Sequence, residues 1–91
     1  MKTINKLKEI VVTIVINDLC TNQVESYDVL DVDVMSATKR AIAIHFSSYN
    51  TKCNPNSYYI GKKMDNIWNE KLVTFAKKNQ FSFTYTSKAF N

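Results

Sequence analysis

The sequence predicts an α+β fold, a small two-layer sandwich with element order β-β-α-(β)-α-β, a mainly antiparallel sheet and helices on one face. Three observations carry this. Residues 10–16, Ile-Val-Val-Thr-Ile-Val-Ile, are uncharged, mostly β-branched and apolar on both sides of the pleat, which marks an interior strand. Residues 24–34 and 81–86 alternate between apolar and polar, the period of half-buried strands. Residues 65–79 instead repeat their apolar positions at helical spacing.

Taken in order, residues 1–8 are a polar lead-in to the spine strand, and Asn17-Asp18 and Thr21-Asn22 are turn signals after it. The next strand is antiparallel to the first. Its end, Leu30-Asp31-Val32-Asp33-Val34, is expected to send Leu30, Val32 and Val34 inward and the two aspartates outward.

Residues 36–49 admit two readings. As a strand, 41–46 would form a hairpin with 28–34 and bring Asp31 opposite His45. The connector at 36–40 has no Gly, Asn, Asp or Pro to make the turn, so the helix is preferred. In that helix Ser36 is the N-cap, and Ala41, Ile42, His45, Phe46 and Tyr49 share a face. Lys39, Arg40, Ala43 and Ser47 then point outward.

Residues 51–57 are a loop around Pro55, followed by a short strand at Tyr58-Tyr59-Ile60 closed by Gly61. Asp65 caps the next helix, whose buried stripe is Met64, Trp68, Leu72, Phe75 and Ala76, with Ile67 alongside. Phe81, Phe83 and Tyr85 line one side of the last strand. Trp68, Phe75, Phe81, Phe83, Leu30, Val32, Ile14 and Ile42 are the expected core. Two helices roof one face only, which leaves Val11, Val15 and Val29 on an open face suited to a homodimer or a docking partner.

Composition bounds the function classes. The 91 residues make one domain, 1–91, and a hydrophobic fraction of 45% is too high for disorder. A single Gly and a single Pro leave few sharp turns. The net charge of +4 is uneven: residues 1–34 hold three lysines against six acidic residues, and residues 35–91 hold nine basic residues against two acidic ones. A basic half favours an acidic partner. Arg40 is the sole arginine, which weighs against base or bidentate phosphate readout.

Lys2, Lys6 and Lys8 ahead of the apolar run, with Cys20 after it, imitate a lipoprotein leader. Glu9 interrupts the basic region, and Asn17-Asp18-Leu19 lacks the small residues of a cleavage site. The run is also far short of the roughly 18–20 residues that span a bilayer. A cytoplasmic protein with no membrane partner, and with Cys20 and Cys53 as free thiols, is the expectation.

The inventory for chemistry is thin. His45 is the only histidine, neither cysteine stands at a motif spacing from it, and no zinc-type ligand set occurs, so no catalytic residue, metal or cofactor is expected. Asp28, Asp31 and Asp33 read as an ordinary solvated strand face. Gly61-Lys62-Lys63 lacks the upstream Gly and the Ser or Thr of a phosphate loop.

One patch interleaves cations with aromatics: Tyr49, Lys52, Tyr58, Tyr59, Lys62 and Lys63, with Lys39 and Arg40 added from the preceding element. Lysine, tyrosine and asparagine serve protein contacts and single-stranded nucleic acid alike. The expectation is a small non-catalytic protein-binding module, of the kind that phages and plasmids use to modulate or inhibit a host protein; the AT-rich-codon composition (Lys, Asn, Ile, Tyr, Phe) fits such a source. Nucleic-acid binding through the Lys/Tyr surface is the alternative.

Overall fold

β-Branched residues stiff at χ1 fit a pleated surface, and residues 10–16 form the centre of the sheet as their pattern requires. The structure, a computed structural model, describes residues 9–47 and 57–89. β1 (Ile10–Asp18) lies between β2 (Gln23–Asp31) and β3 (Phe81–Ala89), antiparallel to both, in the order β2-β1-β3. α1 (Val34–Ser47), α2 (Ser57–Lys63) and α3 (Leu72–Lys78) follow β2, so the chain runs β-β-α-α-α-β with its helices on one face. No helix among the described residues is long and apolar enough to cross a membrane.

The two faces of β1 differ sharply. Val12, Ile14 and Ile16 have no exposure and meet α1, while Val11, Thr13 and Val15 are half-buried by their strand neighbours alone. Full burial of each aliphatic side chain contributes about 1.5–3 kcal/mol. Ala37, Ala41, Ile42 and Phe46 of α1 complete the core with Ile60, Leu72, Phe75 and Phe81. Phe81 meets Phe46 at a tilt, 4.8 Å between ring centroids, and Phe75 edge-on at 6.3 Å. The turn into β2 is closed by Asn22, at φ 61°, whose N–H donates to the Asp18 carbonyl at 2.7 Å. Asn tolerates the left-handed region better than most residues.

The inward and outward sides of β2 are opposite to those expected from its last residues. Val29 pairs with Val12 and is 7% exposed, whereas Leu30 pairs with Val11 on the open side and is 41% exposed. Val29 therefore belongs to the core and not to the open face, and Leu30 and Val32 are outside it. Polar partners reverse the pattern. Asp31 faces the helices, where its carboxylate lies 2.9 Å from the Arg40 guanidinium and accepts from the Val32 N–H at 2.7 Å.

Asp33, not Ser36, starts α1. Its carboxylate accepts from the Ser36 N–H at 2.8 Å and the Ser36 hydroxyl at 3.0 Å, and these bonds hold its pKa below the ordinary value. The helical reading of 36–49 holds over the described part, with Ala41, Ile42, His45 and Phe46 all buried.

Two further expectations are overturned. Residues 58–60 are helical, part of α2, with Ile60 inside and Gly61 in mid-helix. The long helix over 65–79 is broken: residues 64–66 turn, Trp68 is extended at φ −71°, ψ 142°, and a 3-10 turn (Asn69–Lys71) leads into the short α3. Ile67 goes inward in place of Trp68, which is 71% exposed. The Ile67 carbonyl, without a helical partner there, accepts from the Lys39 ammonium at 2.6 Å. Phe81 is buried and Phe83 half-buried on the helix side of β3, as expected.

Asp33→Ala removes the cap of the helix that roofs the sheet, and should lower stability to urea by about 1 kcal/mol. Because Asp33 titrates below the ordinary value of 3.8, its contribution is present above that pH and lost as pH falls through its lowered value. The difference between variant and parent should accordingly shrink in acid, which urea unfolding at neutral and acid pH measures.

Candidate partner-binding surface

The residues singled out from sequence separate into three places. Tyr49 and Lys52, like Cys53, lie outside the described residues. Tyr58, Tyr59, Lys62 and Lys63 sit together on α2, and both tyrosines are exposed, Tyr58 by 76% and Tyr59 by 54%. The Lys62 ammonium lies 5.4 Å from the centroid of the Tyr58 ring, a cation–π distance. Tyr59 packs its ring at 5.9 Å from Phe75 of α3. Lys39 and Arg40 are engaged locally, Lys39 with the Ile67 carbonyl and Arg40 with Asp31, so they serve the fold first.

The α1–α2 interface opens as a groove of about 700 Å³ over Ile44, Phe46 and Gly61, with Arg40, Tyr58 and Lys62 on its walls. A second surface, which sequence reasoning missed, surrounds Trp68. Trp68 lines two concavities. One, of about 350 Å³, is lined by Lys63, Ile67, Lys71 and Phe75. The other, of about 450 Å³, is lined by Lys39, Asp65, Asn69 and Glu70. The helical spacing of Trp68 with Leu72 and Phe75 hid it. The signal that was there is polar: Asp65-Asn66 and Asn69 bracket Ile67-Trp68 with turn formers.

Val11 and Val15 do lie on the open face of the sheet, but that face is mixed. They alternate with Thr13 and Asn17, beside Leu30, Asp28, Ser26 and Val24 of β2 and Thr84 and Thr86 of β3. The Thr13 hydroxyl donates to Asp28 at 2.7 Å across its middle. Of the three valines expected there, Val29 alone is in the core, and Leu30 takes the place beside Val11.

The chain matches no protein-family model, no curated protein and no solved structure. What it can do is read from its groups alone.

His45, the one histidine, is turned inward at 1% exposure. Its Nδ1 shares a hydrogen bond of 2.8 Å with the Tyr27 hydroxyl, and its ring meets Phe46 edge-on at 4.7 Å. Nε2 is buried, with no hydrogen-bond partner among the described residues. Cys20 is exposed in the β1–β2 turn, beside Gln80 at 3.6 Å. Among the described residues no group of three His, Cys, Asp or Glu side chains is placed to hold a metal ion.

Two predictions come from these environments. Burial lowers the His45 pKa from 6.5, outweighing the opposite pull of Asp18 on β1 and Glu25 on β2, while burial and then Glu25 raise that of Tyr27. The native state therefore resists a proton that the unfolded chain accepts. Stability from this group is fully present above pH 6.5 and is lost as pH falls through the lowered native value. Chemical denaturation from pH 8 to 5 should show a decline in the parent that is weaker in His45→Gln.

Gly61 has a helical, not a left-handed, backbone, and a Cβ there would meet the Ala43 carbonyl oxygen at 3.8 Å and the Phe46 carbonyl carbon at 4.0 Å, ordinary contacts. Gly61→Ala should therefore raise stability by about 0.5–1 kcal/mol through helix propensity, measurable as a higher urea midpoint.

Proposed function

We propose that this domain is a non-catalytic protein-binding module that docks through the helical layer, with Trp68 at the centre of the contact. The observation that supports the reading is the outward Trp68. A tryptophan at that position of a continuous helix would join the core, and the chain instead breaks the helix, extends Trp68 and exposes 71% of it. Burial of an aromatic ring is among the larger single contributions available to a small domain, so leaving one in water favours use by a partner. Tryptophan, tyrosine and arginine dominate the binding energy of protein interfaces. Phe75, whose ring lies 5.9 Å from that of Tyr59, lines the same concavity as Trp68, and Lys63 and Lys71 line it as well.

A module of this kind acts by occupancy, as an inhibitor or modulator of the protein it covers, and needs no reacting group. A cytoplasmic setting agrees with an exposed free thiol at Cys20.

The test uses Trp68 as its own probe, since it is the only tryptophan in the chain. Binding of a stoichiometric protein partner should shift its emission to the blue. Trp68→Ala should leave thermal stability almost unchanged and weaken the partner by roughly 30-fold or more, the range of interface hot spots. If Trp68→Ala binds that partner as the parent does, the module reading is wrong. Quenching of Trp68 by single-stranded DNA, lost steeply as salt rises, would favour the nucleic-acid reading instead.

A further inference from the structure

The partner's chemistry can be narrowed from the charges on the two sides of Trp68, given that Trp68 is the docking centre as proposed above. On the α3 side, the concavity bounded by Trp68 and Phe75 carries the ammonium groups of Lys63 and Lys71 and no carboxylate. On the other side stand Asp65 and Glu70, with Lys39, whose ammonium already donates to the Ile67 carbonyl at 2.6 Å. Among the described residues, Lys63, Lys71, Asp65 and Glu70 form no ion pairs of their own. Trp68 is thus shared by a concavity whose charged residues are cationic and one whose charged residues are net anionic, two carboxylates against the Lys39 ammonium.

We infer that this surface recognises a bipolar polypeptide segment, an apolar side chain packed on Trp68 with acidic residues to one side and basic residues to the other. The acidic residues meet Lys63 and Lys71, and the basic ones meet Asp65 and Glu70. A nucleic-acid strand fits the same surface poorly. A base stacked on Trp68 would carry phosphates past both flanks, and those on the second flank meet two carboxylates against the single ammonium of Lys39, a net repulsion that counters the attraction on the first. A polypeptide can reverse sign within a residue or two, a rise of about 3.3 Å each when extended. Lysines without an accompanying arginine also suit single carboxylates better than bidentate phosphate readout.

The experiment titrates the full-length ¹⁵N-labelled protein with three capped peptides, each built around one phenylalanine, and with a short oligothymidylate. The peptides are acidic on one side and basic on the other, acidic on both, or basic on both. The bipolar peptide should shift the Trp68 indole N–H saturably and bind about threefold or more tightly than either unipolar peptide, with the advantage reduced by added salt. Asp65→Asn/Glu70→Gln should transfer that preference to the all-acidic peptide. These exposed substitutions touch no core contact, so the fold serves as its own control in the same spectra.

If the all-acidic peptide binds as well as the bipolar one in the parent, and the double variant changes nothing, the bipolar inference falls while Trp68 stands as a docking centre. Saturation at Trp68 by the oligothymidylate alone would overturn both. If no peptide moves the Trp68 signal at millimolar concentration, the bipolar inference is overturned, and the module reading is judged separately by Trp68→Ala against its partner.

Discussion

Val12, Ile14 and Ile16 are removed from water by α1, and the rest of the molecule leans on that contact. Ala37 and Ala41, small and fully buried, let the helix approach the sheet closely, while Ile42 and Phe46 fill the space beside them. Both outer strands are then fixed through the same helix. β2 is tied by the ion pair of Asp31 with Arg40, and β3 by Phe81 against Phe46. In a domain of 91 residues the net stability is only several kcal/mol, so a fault in this one seam reaches every element.

The parts of the fold that were legible in the sequence are those where one periodicity ruled. β1 and the faces of β3 follow from spacing alone, and the buried stripe of α1 follows from spacing once the connector at 36–40, poor in turn formers, has decided for a helix. The misreadings arise where a polar residue has a local partner that spacing does not reveal. Asp31 and Asp33 look like the outer face of a strand, yet one pairs with Arg40 and the other caps α1, so the strand ends inside the alternation and Val29 goes inward. Helical spacing likewise placed Trp68 with Leu72 and Phe75. A side-chain donor on another element, Lys39, makes the interruption at Ile67 tenable. The surface around Trp68 was illegible for that reason, whereas the grouping of Tyr58, Tyr59, Lys62 and Lys63 on the surface was legible, though on a helix rather than a strand and loop.

The charge asymmetry of the chain also changes meaning once folded. Residues 9–33 hold six acidic side chains and no basic one, but half of them serve the fold. Asp18 accepts from the Cys20 N–H in the turn after β1, Asp31 holds Arg40, and Asp33 starts α1. The five lysines of residues 57–80 are all exposed, by contrast. The acidic half is therefore largely structural and the basic half largely surface. A long-range field presented to a partner comes chiefly from the helical layer.

That layer is not free to drift from the core. The backbone at Ile67, where the chain leaves helical geometry, is held by the Lys39 ammonium, and Lys39 stands on α1 one residue before Arg40. α1 thus fixes both the ion pair that seats β2 and the carbonyl just before Trp68. Ile67 is buried, which anchors the same short segment from within. Covering the exposed ring would therefore order a side chain on a backbone that is already held, so the entropy to be overcome is that of the side chain. The interruption that defeats the helical pattern is what turns Trp68 outward while its neighbour Ile67 stays in the core.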